Sequence, residues 1–391
     1  MNKSEVEYIT LRLPFHAIGE YARLVYWTAW LCKLCAHRLL DMVKQNPLLA
    51  NLSQYNFIKI GRKLCYDIIP NRRYIDGIST LIHASLQSAK ALKVDIAKLE
   101  LKPWLLFQSE AEPWAKGNLN IQFTSYNTVR VLVFEKDKST RKITIKPVIP
   151  KGYTRLVQTL VDKALRKQIG YPARVYITDY GDKVEHLYGE IQVMVKHDFY
   201  LEVMKRYEKP LGNNIAGVDV NADRLNLVVI NRNGDIVWRY TARFPQATSR
   251  GYPRKSAWSV IGEAIHSILN NAYSHGASVI AVENPEIIGY LRYYWVRNRE
   301  RRIKNYNYKV TIFRNSIIEK IIWKSPLYGL HVVTVNPKGT TRSEDHEYVM
   351  RRYGLDSHTA SAYLIALRAR RNLHRPQKTY SPETAFTPYF S

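Results

Sequence analysis

Apolar and polar positions change their spacing along the chain, and this change divides the sequence near residue 212. Residues 5–14 alternate like an exposed strand that ends at Pro14. A helical period recurs in four segments, 16–46, 54–69, 73–98 and, further on, 153–168. From about residue 104 the spacing otherwise falls to every second residue, with polar turns between the runs.

These periods predict an N-terminal half built around β-strands. Residues 1–14 and 104–212 are expected to form a small antiparallel β-barrel, and residues 15–103 a helical bundle inserted after its first strand. The whole chain would then be an α+β protein of several domains, which its length of 391 residues also favours.

The second half alternates strands with helices. A strand at 214–221 is followed by a second apolar run. Asn233-Gly234, a strong hairpin signal, joins this second run to a third. Helix, strand, helix, strand and helix follow. This order is typical of a ribonuclease H-like α/β domain, predicted here over residues 213–376 with a C-terminal tail at 377–391.

Three carboxylates stand at the ends of elements in this half. Asp219 lies near the end of an apolar strand, Glu283 closes the apolar run S-V-I-A-V-E, and Asp356 opens an amphipathic helix. Carboxylates from distant segments that meet at a sheet edge are what a pair of Mg²⁺ ions requires, since Mg²⁺ prefers oxygen ligands. The trio points to phosphodiester hydrolysis.

Each carboxylate also has a simpler explanation. Asp219 could pair with a neighbouring Arg, Glu283 could be an ordinary strand terminator before Asn284-Pro285, and Asp356 could be a helix N-cap. Four further groups are secondary candidates: Asp223, Asp345, His346 and His358. Asp223 could be a turn former, and His358 is expected on a helix surface rather than beside the metals.

Charge indicates a polyanionic partner. The chain has 59 Lys and Arg against 33 Asp and Glu, a net charge of +26. Residues 289–325 combine ten Lys or Arg with eight aromatic residues, which suits phosphate contacts and base stacking, although a core-packing helix with a solvated basic face is the alternative. The predicted nucleic-acid contacts are Arg292, Tyr293, Tyr294, Trp295, Arg297, Arg299, Arg301, Arg302, Lys304 and Arg314.

Cysteines and hydropathy exclude other classes. Cys32, Cys35 and Cys65 are expected to be buried helical thiols, because a single C-x-x-C pair is weak evidence for zinc. The N-terminus is too polar for a signal peptide, and the longest apolar helical stretch is too short to span a membrane. We expect a cytoplasmic protein, associated with the nucleoid of a prokaryotic cell.

Three motifs resemble the RuvC motifs of the transposon-encoded TnpB family, relatives of type V CRISPR effectors. They are G-V-D-V-N-A-D-R-L-N-L-V-V-I, A-V-E-N-P, and V-N-P-K-G-T-T-R followed by L-D-S-H-T-A-S-A-Y-L-I-A. The resemblance implies that Asp219, Glu283 and Asp356 are the catalytic metal ligands. It also implies that the N-terminal barrel is a wedge region and the helical insert a recognition region.

One segment departs from the family. TnpB-like proteins typically carry a four-cysteine zinc ribbon before the last Asp, and residues 340–355 contain no cysteine. Zinc is therefore not expected there, and a short helical linker is predicted instead. The Ala360-Ser361-Ala362 run would let the last helix approach the sheet closely.

The leading hypothesis is an RNA-guided DNA endonuclease, with guide RNA and double-stranded target DNA bearing a short flanking motif as partners. Two Mg²⁺ ions, or Mn²⁺ in their place, would be bridged by Asp219 and completed by Glu283 and Asp356. The alternatives are a guide-carrying repressor that does not cut, and a stand-alone structure-selective nuclease. A monomer or weak dimer is expected, whereas a resolvase would act as a symmetric dimer.

Overall fold

The computed structural model describes residues 8–249, 251–284, 296–298, 306–336 and 343–373, with side chains except those of 296–298 and 306–313. The elements of the N-terminal half are β1 (Tyr8–Ile18), α1 (Glu20–Gln45), α2 (Gln54–Cys65), α3 (Arg72–Ala91), β2 (Leu99–Leu101), β3 (Leu105–Ser109), β4 (Ile121–Ser125), β5 (Thr128–Phe134), β6 (Thr140–Ile145), α4 (Thr154–Leu165), β7 (Ala173–Tyr180), β8 (His186–Lys196) and α5 (His197–Met204). Those of the C-terminal half are β9 (Asn214–Val220), β10 (Arg224–Ile230), β11 (Ile236–Arg243), α6 (Arg254–Ser274), β12 (Ala277–Glu283), β13 (Val296–Asn298), α7 (Tyr306–Lys324), β14 (His331–Val335), α8 (Glu344–Tyr353) and α9 (Ser357–Leu373).

The chain forms two compact units that divide between Val203 and Met204. The short strand β13 belongs to the first unit, where it pairs with β2. The predicted finer division into barrel, helical insert, nuclease domain and tail stays a prediction, and the tail at 377–391 lies outside the described residues.

The strands of the first unit form antiparallel sheets. One has four strands in the order β1-β8-β7-β3, a second joins β4, β5 and β6, and β2 pairs with β13. Among the described residues, β1 and β3 form the two edges of the four-stranded sheet. A closed barrel is therefore not part of the described pairing and stays a prediction.

The predicted end of the first strand at Pro14 was wrong. Strand β1 continues to Ile18, with Pro14 opposite Glu190 of β8. The Pro14 carbonyl accepts from the Val148 N–H at 2.7 Å, so at this residue the backbone polar groups face away from β8. Because proline lacks an N–H, it is tolerated at such an outward position of an edge strand.

Three helices of the first unit lie between β1 and β2 in the chain, as the periodicity predicts. Helix α1 packs on the sheets, where the Thr28 hydroxyl accepts from the Phe134 N–H at 2.9 Å. Helix α3 ends at Ala91 rather than near residue 98, because Lys93 has a positive φ of 52° and turns the chain. Cys32, Cys35 and Cys65 are free, buried thiols of this helical region, which confirms the sequence interpretation.

The second unit is a five-stranded mixed sheet. Its strand order is β11-β10-β9-β12-β14, with an antiparallel hairpin β9-β10-β11 and parallel pairs β9-β12 and β12-β14. The predicted Asn233-Gly234 turn joins β10 and β11, with Gly234 at φ 98°. This is the order of a ribonuclease H-like sheet, in agreement with the prediction.

Helix α9 approaches this sheet very closely. A Cβ atom added to Gly217 of β9 would lie 2.1 Å from the Ala362 carbonyl oxygen and 2.9 Å from the Ala366 Cβ. Only glycine on the strand and small residues on the helix allow that distance. The apolar core on this face joins Ile215, Ala281 and Val335 to α9.

Candidate active site

Two carboxylates lie side by side at the ends of parallel strands. Val218 of β9 pairs in register with Val282 of β12, so Asp219 and Glu283, one residue further on, stand at the same level. Asp219 is on the same strand face as Gly217, which meets α9. Asp219 is 3% exposed and Glu283 is 7% exposed, and burial of such groups requires partners.

Helix α9 brings the third candidate to this edge. Its first turn carries His358, whose Nδ1 lies 3.2 Å from Oδ2 of Asp219. Asp356 stands two residues earlier, immediately before the helix begins. The structure therefore places the three predicted carboxylates at one edge of the sheet, and their catalytic role stays a prediction.

Asp356 serves as the N-cap of α9. Its Oδ1 accepts from the N–H groups of His358 at 3.0 Å and Thr359 at 3.1 Å, and its Oδ2 accepts from the Thr359 hydroxyl at 2.6 Å. Burial by itself raises the pKa of Asp356, but these hydrogen bonds outweigh it and hold the pKa below its usual value. The simpler explanation of Asp356 as a cap therefore holds alongside the candidate role.

His358 and Asn221 share the Asp219 carboxylate. Nδ2 of Asn221 donates to Oδ2 of Asp219 at 2.7 Å and lies 3.1 Å from Nδ1 of His358. The hydrogen bond with Asp219 raises the pKa of His358, against the opposing effect of burial. His358 is partly exposed on the helix, as the sequence predicts, and its Nδ1 also reaches Asp219 of β9.

Arg314 of α7 is bound to the second carboxylate. Its guanidinium forms an ion pair with Glu283, and its Nε donates to the Val220 carbonyl at 2.5 Å. Arg314 thus joins the ends of β9 and β12. It was predicted as a nucleic-acid contact, and in the structure its partners are the strand ends.

Of the other predicted nucleic-acid contacts, one falls in a described strand. Arg297 lies in β13, where its backbone pairs with Glu100 of β2. The others, Arg292, Tyr293, Tyr294, Trp295, Arg299, Arg301, Arg302 and Lys304, lie outside the described residues. All nine, like the predicted contact of Arg314, stay predictions.

The secondary candidates have separate roles. Asp223 pairs with Arg224 at 2.8 Å, and this hydrogen bond lowers the pKa of Asp223. Asp345 is exposed in the acidic first turn of α8. His346 is buried, with Nε2 2.8 Å from the Ser357 carbonyl, so it ties α8 to the first turn of α9.

The oxygen donors suit a hard divalent ion, although each carboxylate is already engaged by hydrogen bonds or an ion pair. Across β9 and β10, Asn226 stands opposite Asp219, is 2% exposed, and has an Oδ1 without a hydrogen-bond partner among the described residues. Such an orphaned oxygen opposite the Asp219 carboxylate fits the surroundings of Mg²⁺. Within the described ranges, however, no three His, Cys, Asp or Glu side chains are arranged to hold one ion.

Three contacts at this edge were not anticipated from the sequence. The sequence does contain a signal for the Thr359 contact, since a hydroxyl three residues after a cap Asp can donate a hydrogen bond to the Asp side chain. Asn221 carries a weaker one, as an amide two residues beyond a candidate carboxylate. Arg314 carries none, because 31 residues separate it from Glu283.

The fold and site together define a ribonuclease H-like α/β unit with acidic residues at the ends of its two central parallel strands. The model of the SSO2105 N-terminal domain family matches residues 8–205. The chain belongs to the SSO2105 family.

Relatives from two organisms match most of the chain. An uncharacterized protein of Aeropyrum pernix is 41% identical over 367 residues, which cover 93% of this chain and 96% of that protein. The uncharacterized protein SSO2105 of Saccharolobus solfataricus is 32% identical over 309 residues, covering 78% of this chain and 79% of that protein.

A solved structure shares the fold. The chain is similar to one in the cryo-EM structure of the Cas12f1-sgRNA-target DNA complex, with a TM-score of 0.53 and 11% identity over 88% of this chain and 82% of that chain. This similarity supports a Cas12f-like fold. Of the helices that the structure describes, none is both long and apolar enough to cross a bilayer.

Proposed function

We propose that the protein is an RNA-guided DNA endonuclease of the TnpB type, with a RuvC-like site that hydrolyses phosphodiester bonds. The observation that carries the proposal is the position of Asp219 and Glu283 at adjacent strand ends, with the start of α9 in contact with Asp219. The partners would be a guide RNA and a double-stranded DNA target with a short flanking motif. The fold similarity to Cas12f1, solved with sgRNA and target DNA, supports this choice.

In this proposal Asp219, Glu283 and Asp356 would hold two Mg²⁺ ions, with Mn²⁺ as a substitute. The ions would supply positive charge for the phosphate oxygens in the transition state. Asn221 and His358 would orient Asp219, and the cap hydrogen bonds would orient Asp356. Arg314 would leave Glu283 before that carboxylate binds an ion. The protein would act in the cytoplasm, where a prokaryotic cell holds its DNA.

A second candidate is a guide-carrying DNA binder that does not cut. The ion pair between Arg314 and Glu283 favours it, because a carboxylate that stays paired is withheld from a metal. The two candidates share the nucleic-acid partners and differ only in hydrolysis.

Two measurements separate these functions. RNA that co-purifies with the protein from its native host is sequenced, and a single dominant species encoded beside the gene is expected. Cleavage of DNA matching that guide is then measured with Mg²⁺ for the wild type and for Asp219→Asn. We expect a loss of at least ~10² in rate, the usual effect of removing electrostatic stabilisation.

The exposed Asp345 of α8 provides a matched control, and Asp345→Asn should cut like the wild type. Equal cutting by Asp219→Asn would overturn the site assignment. Guided binding without cutting by the wild type would establish the repressor instead. A random mixture of bound RNA would leave a structure-selective nuclease as the better account.

A further inference from the structure

A lysine with an unusual partner ends α7 in the second unit. Nζ of Lys324 donates to Nε2 of His266 on α6 at 2.8 Å. Nδ1 of the same imidazole lies 2.8 Å from the hydroxyl of Tyr328, which is fully buried. Because Nε2 accepts from an ammonium, this histidine is neutral and its Nδ1–H donates to Tyr328. Lys324 is therefore held in place without a negative charge.

Two further cations adjoin Lys324. The Arg206 guanidinium lies 5.3 Å from the centre of the Tyr328 ring, and the Arg206 N–H donates to the Leu327 carbonyl at 2.8 Å. Lys320, one helical turn before Lys324, lies 4.9 Å from the centre of the Trp258 ring. We call Arg206, His266, Lys320 and Lys324 the Lys324 cluster.

The cluster concentrates positive charge that costs free energy. Burial, with the charges of Lys320 and Arg206, lowers the pKa of Lys324 to about 8. Burial and the charges of Lys324 and Arg206 lower the pKa of His266 to about 4. In the described part of the chain, no carboxylate forms an ion pair with Lys324 or Arg206. An anion placed there would relieve this repulsion.

Aromatic rings border the same cluster. Tyr207 stacks on Tyr273 with ring centres 3.8 Å apart and planes 7° from parallel, and both are partly exposed. Cations for a phosphate next to aromatic faces for a base or sugar suit a nucleic-acid strand. We propose that the Lys324 cluster binds a backbone phosphate of a nucleic-acid strand, at a site separate from the carboxylates.

The spacing along α7 relates this site to the strand ends. Lys324 follows Arg314 by ten residues, which is about 15 Å of helix. Phosphates of a duplex strand follow one another at about 3.4 Å along the axis, so about four nucleotides span this distance. The assignment to a nucleic acid rests on the proposed function, whereas the phosphate chemistry follows from the cluster itself.

The test measures binding without divalent ions, so that cleavage plays no part. Affinity of the full-length protein for fluorescein-labelled oligothymidylate of about twelve nucleotides is followed by anisotropy over a salt series. Lys324→Gln should weaken binding about fivefold near 0.1 M salt and reduce the salt slope by about 0.7, as expected for one lost phosphate contact. Lys255→Gln, which removes an exposed lysine of α6, is the matched control and should change the affinity less than twofold.

A second variant distinguishes the loss of a phosphate contact from a folding defect. Arg206→Gln removes an exposed side chain and should reproduce the loss of affinity with an unchanged circular-dichroism spectrum. Wild-type affinity and slope for both variants would overturn the proposal. So would a loss that Lys255→Gln shares in full.

Inorganic phosphate distinguishes the source of the anion. It should raise the melting temperature of the wild type, but not that of Lys324→Gln, and should compete with the oligonucleotide. Phosphate protection with unaltered oligonucleotide binding by Lys324→Gln would overturn the nucleic-acid assignment in favour of a free phosphate. If Asp219→Asn cuts normally while Lys324→Gln still binds weakly, only the proposed catalytic site fails.

Discussion

Arg314 pairs with the buried carboxylate of Glu283 while its Nε donates to the Val220 carbonyl. One side chain from α7 thereby connects the ends of the two parallel strands that carry the candidate carboxylates. The guanidinium offsets the charge of Glu283, which is buried in a poorly solvated position. A divalent cation at Glu283 would have to compete with this guanidinium for the carboxylate.

Removal of the Arg314 guanidinium should strengthen metal binding at the site. Arg314→Gln is expected to bind Mn²⁺ about tenfold more tightly, measured by electron paramagnetic resonance of free Mn²⁺. A tenfold change is about 1.4 kcal/mol, well within the roughly 4 kcal/mol between unit charges about 4 Å apart at an effective dielectric constant near 20. Lys255→Gln removes the same charge elsewhere and should bind like the wild type. Unchanged affinity in Arg314→Gln would show that Arg314 does not compete with the ion.

The cap role of Asp356 and its proposed role as a metal ligand can be separated by substitution. Asparagine is a good N-cap, so Asp356→Asn should unfold in urea within a few tenths of a kcal/mol of the wild type. Asp356→Ala loses the cap hydrogen bonds and should cost about 1 kcal/mol. Both variants lose the charge and should lose cleavage alike. Cleavage that follows stability instead would leave Asp356 as a cap alone.

The pair of His358 and Asp219 should make stability depend on pH. The folded-state pKa of His358 is raised above its ordinary value of 6.5, so the pair stabilises the fold fully below pH 6.5. This contribution is lost as the pH rises through the folded-state pKa. Urea unfolding should therefore show His358→Gln less stable than the wild type at pH 5.5 and equal to it well above that pKa. A difference independent of pH would indicate packing instead.

Gly217 should tolerate no side chain, whereas Gly262 of α6 should gain from one. Gly217→Ala would press against the Ala362 backbone and is expected to destabilise the fold by about 3 kcal/mol. A Cβ at Gly262 meets nothing within 4 Å, and Gly262→Ala should stabilise the helix by roughly 0.5–1 kcal/mol. Urea unfolding of the two variants measures both effects. Equal stabilities would show that α9 adjusts its position freely.

The sheet of the second unit was predictable because its signals are local. The apolar runs that end in Asp219 and Glu283 read as strands, and Asn233-Gly234 marks the hairpin. The order of these elements then limits the topology to few choices. The same runs placed two of the three candidate carboxylates, since each closes its own strand.

Other features depend on distant parts of the chain. Strand β3 (Leu105–Ser109) is buried at every residue, so it lacks the alternation that marks a half-exposed strand. Pro14 suggests the end of a strand in the sequence, because only the position of β1 at a sheet edge explains why a proline is tolerated within it. The ion pair between Arg314 and Glu283 depends on how α7 packs, which neither local sequence specifies.

The hydrogen bonds of the cap also restrict how Asp356 can act as a ligand. A carboxylate oxygen has two lone pairs, and Oδ1 of Asp356 already accepts two N–H groups, whereas Oδ2 accepts one hydroxyl. On Asp219 the contacts fall on Oδ2, and no described residue donates to Oδ1. Each of these aspartates therefore has one oxygen with an available lone pair, so each would bind an ion through a single oxygen as long as α9 keeps its cap.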